Sequence, residues 1–312
     1  MGLQALKVFA LSKGSEALEE AYLLAKLSHP NIVRMFEANG LERGGVKYGY
    51  FTMEYVEGGS LLTSIGDECL DLQCRIDLGR GIVAGLAHAH SQDPPVIHRD
   101  ISPSNILLNR EQGRITAKIS DFGLAKHVDN ASLLASAAGK YVYMAPESFL
   151  GIHSTATDVY STAIVLFELF TGKHPFEFTL TTQATSKELA EIVKRSRSQS
   201  IPDASRSNPE LPKTWDAFFR ESLVHDYEQR PKDGKALLTI FDRCARPSQT
   251  SATATSQGTD TKEMVKRAHV LSQQTETMGR AIVLLENACE IDPGIRERYS
   301  DLLSLWKRGI VL

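Results

Sequence analysis

The sequence predicts an α+β fold in which short strands come first and helices follow. Three observations carry that expectation. Gln4-Ala5-Leu6-Lys7-Val8-Phe9 alternates at strand period, and Tyr48 to Val56 reads as a further strand. Leu70 to His90 carries Ile76, Leu78, Ile82, Val83, Leu86 and Ala87 in the pattern of a buried amphipathic helix. After two more apolar strands, Ile106 to Leu108 and Ile115 to Ile119, the helices expected are Ile164 to Phe170, Ser186 to Lys194, Thr214 to His225 and Gly234 to Cys244.

Composition sets outer bounds. The chain has 312 residues, 42% hydrophobic and 23% charged, which is ordinary for a globular protein. That length suggests about two structural units. A formal net charge of -3 gives no reason to expect nucleic acid or an anionic membrane as partner. Cys69, Cys74, Cys244 and Cys289 form no C-x-x-C pair, so free thiols in a reducing compartment are expected. There is no apolar run of membrane-spanning length and no basic-then-apolar leader, and Leu6 stands where myristoylation after Gly2 needs Ser or Thr. A cytoplasmic protein is the expectation.

Four motifs fall in one order. Ala5-Leu6-Lys7 lies in the first strand. His98-Arg99-Asp100 is followed by Asn105 five residues after the Asp. Asp121-Phe122-Gly123 ends the Ile115 to Ile119 strand, and Ala145-Pro146-Glu147 comes later. This series resembles the eukaryotic-type protein kinases over roughly Ala5 to Cys244. The resemblance implies a bilobal fold, the substrates ATP and protein, and Mg²⁺ as cofactor.

From the start of the chain, the resemblance makes Ala5 a wall of the nucleotide pocket and Lys7 the holder of the α- and β-phosphates. Ser15 to Leu27 has Leu18, Leu23, Leu24 and Leu27 near helical spacing, with Ser15 as a cap and acidic residues at its positive end. His29-Pro30-Asn31-Ile32-Val33 follows, and counting back nine residues makes Glu20 the partner of Lys7. Only six residues precede Lys7, so no G-x-G-x-x-G loop fits before it. The small-lobe sheet is expected to have about three strands, with a new edge and part of its core exposed. A fragment or mis-started gene model of a normal kinase is the favoured explanation; the other is a natural, poorly catalytic relative. Met53-Glu54-Tyr55-Val56 with Glu57-Gly58-Gly59-Ser60-Leu61 resembles the strand-to-hinge segment. Met53 is then the gatekeeper, and backbone groups of Glu54 and Val56 meet the adenine edge.

In the large lobe, Asp100 is the base that accepts the substrate hydroxyl proton. Asn105 and Asp121 hold Mg²⁺ with the hard oxygens it prefers, and Leu107 is the floor under the adenine. Phe122 should pack with His98, Leu24 and Met35. Glu147 should pair with Arg230, and Asp158, in Thr157-Asp158-Val159-Tyr160-Ser161, should accept backbone hydrogen bonds from the catalytic loop. His88 and His90 have no accompanying carboxylate motif and read as core or surface histidines rather than metal ligands.

Two positions depart from the family pattern. Ser102 stands where Lys is usual, and Lys140 stands where Thr is usual after Gly139. One explanation is a swap, in which Lys140 supplies the positive charge beside Asp100; drift in a weakened enzyme carries nearly equal weight. Neither the catalytic loop nor the segment Gly139 to Glu147 has the tyrosine-kinase variants, so Ser/Thr acceptors are expected. Arg99 calls for a counter-charge, for which a phosphate on Ser132 or Ser136 is a candidate.

Arg246 to Thr261 is rich in Ser and Thr and reads as a disordered linker; the organisation expected is a kinase domain over 1–244, a linker over 245–261 and a helical appendage over 262–312. Helices are expected around Met264 to Leu271, Ala281 to Cys289 and Tyr299 to Trp306, with Pro293 as a stop. Ala281, Ala288 and Pro293 have the spacing of half a tetratricopeptide repeat, which leaves a protein partner at these helices as the minority expectation. The function expected is a protein Ser/Thr kinase; the alternative is a pseudokinase that binds or scaffolds.

Overall fold

A computed structural model describes residues 3–10, 27–66, 70–111, 114–122, 141–178, 186–246, 264–265, 268, 278–291 and 293–307. The chain divides into two compact units, Met1–Arg246 and Pro247–Leu312.

The first unit opens with an antiparallel sheet of β1 (Gln4–Ala10), β2 (Met35–Arg43) and β3 (Val46–Glu54), in the order β1-β3-β2. The register sets Ala5 beside Met53 and Lys7 beside Phe51. Strand alternation puts Ala5 and Lys7 on the half-buried face and leaves Leu6 and Val8 exposed on the other. Among the described residues β1 pairs on one side only, as a three-stranded small lobe requires. A second antiparallel pair, β4 (Ile106–Glu111) and β5 (Arg114–Ile119), carries the residues between the catalytic loop and Asp121.

The helical part is built on two helices. α1 (Leu72–His90) starts at Asp71, whose side chain accepts from the Cys74 N–H at 2.7 Å. α2 (Thr155–Thr171) is apolar on nearly every face and is therefore a core helix; Val159, Ala163, Ile164, Val165, Leu166 and Leu169 have no exposed surface. Its stop is Gly172, left-handed at φ 71°, whose N–H donates to the Glu168 carbonyl at 2.8 Å. His174-Pro175-Phe176 lies in the loop beyond that stop. α3 (Ser186–Ser196), α4 (Ala204–Ser207), α5 (Thr214–Ser222) and α6 (Gly234–Ala245) complete the unit. α5 is shorter than its apolar pattern suggests, ending before His225. An aromatic cluster of Phe167, Phe170, Trp215, Phe218, Phe219 and Phe241 joins α2, α5 and α6, with ring centroids 4.8–6.5 Å apart.

In the second unit, Ala268, Ala281, Leu285, Ala288 and Trp306 form a small apolar core. α7 (Met278–Ile291) is followed by α8 (Pro293–Lys307). Pro293 begins α8, where its fixed φ and missing N–H cost nothing, so the helix starts earlier than Tyr299. No described helix is long and apolar enough to cross a membrane.

Candidate active site

The catalytic loop is held from below by one carboxylate. Asp158, 1% exposed in α2, accepts the His98 N–H at 2.6 Å and the Arg99 N–H at 2.8 Å. His90 Nε2 also reaches it at 3.1 Å, while His90 Nδ1 accepts the Gly234 N–H at 3.0 Å. A neutral His90 that donates from Nε2 satisfies both bonds, which ties α1, α2 and α6 to the loop. Arg99 adopts φ 70°, a conformation that costs a side-chain-bearing residue roughly 1–3 kcal/mol, and the Asp158 bond holds it there.

His98 faces inward. Its Nδ1 accepts the Asp100 N–H at 3.2 Å, and its Nε2 donates to the Ser120 carbonyl at 2.7 Å. Its ring lies 4.6 Å from Phe122, and Met35, Met53 and Phe122 border a shared cavity of about 30 Å³. Leu24, the other expected neighbour, lies outside the described residues.

Asn105 is turned onto Asp100: its Nδ2 donates to the Asp100 carbonyl at 2.7 Å and to Oδ2 at 2.9 Å. The carboxamide N–H₂ is thereby occupied, and Oδ1 is the Asn105 atom suited to a cation. The Ser120 N–H donates to the Asn105 carbonyl at 2.9 Å, so Asp121 follows a residue clamped to Asn105. Asp121 is also left-handed, at φ 62°, and its Oδ1 receives Lys7 Nζ at 2.6 Å. Lys7, Asp100, Asn105 and Asp121 thus belong to one connected site. Glu20, the expected partner of Lys7, and Lys140 lie outside the described residues, as do Ser132 and Ser136. Arg99 Nε is buried without a partner among the described residues. Ser102 is buried, and its hydroxyl meets that of Ser104 at 2.9 Å. Among the described residues no group of three or more His, Cys, Asp or Glu could hold a metal by itself. An Asn oxygen with one carboxylate suits Mg²⁺, which takes its remaining oxygens from phosphates and water.

The residues expected on the adenine side fall on β1, on β3, in the turn after β3 and on β4. Ala5 and Met53 are register partners, and Val56 is buried. The Glu54 N–H donates to the Arg34 carbonyl at 2.8 Å, so of its backbone groups only the carbonyl could serve an adenine edge. The Glu54 side chain is taken by Lys118 Nζ at 2.9 Å. Leu107 bridges to Ser60, and the Leu108 N–H donates to the Gly59 carbonyl at 2.9 Å. Gly58 approaches so closely that an added Cβ would fall 2.1 Å from the Leu108 oxygen, which explains a glycine in this turn.

Further out, Glu147 and Arg230 form a buried two-pronged pair at 2.7 and 2.9 Å. The Thr157 hydroxyl donates to Glu147 at 3.1 Å, and Arg230 lies 4.4 Å over the Tyr160 ring. Tyr143 donates its hydroxyl to Glu168 at 2.8 Å. Burial, with Glu168 alongside, pushes the Tyr143 hydroxyl well above its usual range, and burial also raises Glu168.

His174 is a half-buried histidine that no motif marks. Its Nδ1 accepts the Phe176 N–H at 3.1 Å and its Nε2 donates to the Val142 carbonyl at 3.0 Å. Burial, reinforced by the Arg197 charge, lowers its pKa to about 4. Because the unfolded imidazole titrates near 6.5, its stabilising effect is complete above that pH. It is lost as pH falls from about 6.5 to about 4, amounting to about 3 kcal/mol. Chemical denaturation across that range should show the loss, and His174→Gln, which can still donate to Val142, should flatten the difference curve.

Comparison with known proteins places this geometry in a family. The protein kinase domain family matches residues 3–240, and the chain belongs to it. It is 31% identical over 224 residues to a probable serine/threonine-protein kinase PknB of Lactococcus lactis, covering 70% of this chain and 33% of that protein. It is 31% identical over 233 residues to serine/threonine-protein kinase PrkC of Bacillus subtilis, covering 72% of this chain and 33% of that protein. Receptor protein-tyrosine kinase CEPR2 of Arabidopsis thaliana is 37% identical over 169 residues, covering 52% of this chain and 17% of that protein. The chain spans about a third of the length of the two bacterial relatives.

Proposed function

We propose that this chain transfers the γ-phosphoryl group of ATP to Ser or Thr hydroxyls of a protein substrate. The observation that carries the reading is the connection of Lys7 to Asp121 at 2.6 Å and of Asn105 to Asp100 at 2.9 Å, with Ser120 joining the two pairs. Asp100 accepts the proton of the acceptor hydroxyl. Asn105 and Asp121 supply oxygens for Mg²⁺, which when bound neutralises phosphate charge. Lys7 orients the phosphates, with Glu20 as its support, and Ala5, Met53, Glu54, Val56 and Leu107 enclose the adenine. The acceptor polypeptide lies along the described segment 141–147 that contains Ala145-Pro146-Glu147. A cytoplasmic location agrees with the free thiols of Cys74, Cys244 and Cys289. The C-terminal helices are an accessory unit with its own core, and a protein partner is their suggested use.

The test is incubation of the chain with γ-labelled ATP, Mg²⁺ and an array of matched Ser, Thr and Tyr peptides, followed by phosphoamino-acid analysis. Phosphoserine or phosphothreonine is expected. Phosphotyrosine alone would overturn the acceptor class, and nucleotide binding without transfer would favour a pseudokinase. Lys140, in its swapped role, supplies positive charge beside Asp100. Lys140→Ala should then lower turnover at least tenfold while ATP affinity stays within about twofold, as calorimetry would measure; unchanged turnover would end the idea.

A further inference from the structure

Arg197, directly after α3, is only 4% exposed. Its Nη2 donates to the Val142 carbonyl and to the Met144 carbonyl at 3.3 Å. Its Nε and Nη1 are buried with no hydrogen-bond partner among the described residues. The guanidinium lies 4.6 Å over the Phe176 ring and 5.7 Å from that of Tyr160. Burial lowers its pKa, and Tyr160 opposes that shift.

For stability alone this is a poor arrangement. An apolar side chain of similar length would pack on the same rings without desolvating a cation or stranding donors. Buried groups left partly unsatisfied concentrate at functional places. The function open to Arg197 follows from what it grips. Val142 and Met144 belong to the turn that leads into Ala145-Pro146-Glu147, a turn closed by the Met144 N–H on the Tyr141 carbonyl at 3.1 Å. His174 Nε2 shares the Val142 carbonyl, at 3.0 Å. Gln199 brackets Glu177, accepting its N–H at 3.1 Å and donating to its carbonyl at 3.0 Å. The loop after α2, the turn after α3 and the segment 141–144 therefore converge on one guanidinium.

We infer that Arg197 is a positioning residue for the protein substrate: it fixes the 141–144 turn on which the acceptor polypeptide rests, and it takes no part in nucleotide binding. This rests on the function proposed above. The experiment uses the full chain as wild type, Arg197→Met and Arg197→Lys. Rates are measured with the best peptide of the acceptor array, ATP affinity by calorimetry, and amide exchange over 141–144 by mass spectrometry. Arg197→Met should raise the peptide KM at least tenfold, keep ATP affinity within about twofold, and speed exchange over 141–144; Arg197→Lys should recover part of the peptide KM. Unchanged peptide KM and exchange would overturn the inference. So would a parallel loss of peptide and ATP affinity with a lowered melting temperature, which marks a merely structural residue. A wild-type chain that transfers no phosphate, while exchange over 141–144 still responds to Arg197→Met, would remove the proposed function and leave the hold on the turn standing.

Discussion

Replacing Asp100 with Ala should lower phosphoryl transfer by roughly two to four orders of magnitude, the usual contribution of a positioned general base. ATP affinity should stay within a few fold, because Asp100 is assigned to the acceptor hydroxyl and not to the phosphates. The loop should survive the change. Its backbone is fixed by Asp158 through the His98 and Arg99 N–H groups and by His98 through Ser120, and none of these bonds uses the Asp100 carboxylate. Of the bonds described above, the variant removes one acceptor of the Asn105 carboxamide; the other, the Asp100 carbonyl at 2.7 Å, remains. Rapid-quench measurement of the transfer step beside calorimetric ATP binding separates the two effects. Equal turnover in Asp100→Ala would remove the base assignment.

Glu147→Ala should produce the largest loss of stability. Arg230 has no exposed side-chain surface, and the variant leaves its guanidinium buried without its carboxylate. Breaking one side of such a pair costs about 3–5 kcal/mol. For a unit of this size that is a fall in melting temperature on the order of 10 °C. The carbonyls of Val224, His225 and Ala156 keep accepting from Arg230, which limits the loss without replacing the charge. The double variant Glu147→Leu/Arg230→Met should recover most of the stability, since the stranded charge is gone. A double variant as unstable as the single one would show that the pair itself, rather than the orphaned cation, is what matters.

The features legible in the sequence are those whose chemistry dictates a spacing. Asn105 must turn back on the Asp100 loop, and that requirement is met by a short turn through Pro103. Asp158 and Arg230 were legible for the same reason, being attached to recognisable neighbours on their own helix or loop. The residues that were not legible depend on packing between distant segments. His90 acquires its role only because α6 brings the Gly234 N–H to its far nitrogen. Arg197 and His174 belong to no motif, and their meeting at the Val142 carbonyl exists only once α2 and α3 are folded. Backbone punctuation is ambiguous at Pro293, which reads equally well as the end of one helix or the first residue of the next. The bond from Lys7 to Asp121 joins residues 114 positions apart, a contact no local pattern encodes.

The most direct test of the account is the Mg²⁺ dependence of phosphoryl transfer by the wild-type chain, measured as labelled γ-phosphate appearing on the best acceptor peptide. Transfer that is absent without Mg²⁺, saturates as Mg²⁺ is added, and is crippled by Asp121→Asn is the predicted result. A chain that binds ATP and transfers nothing at any Mg²⁺ concentration would contradict the claim that Lys7, Asp100, Asn105 and Asp121 form a working phosphoryl-transfer site.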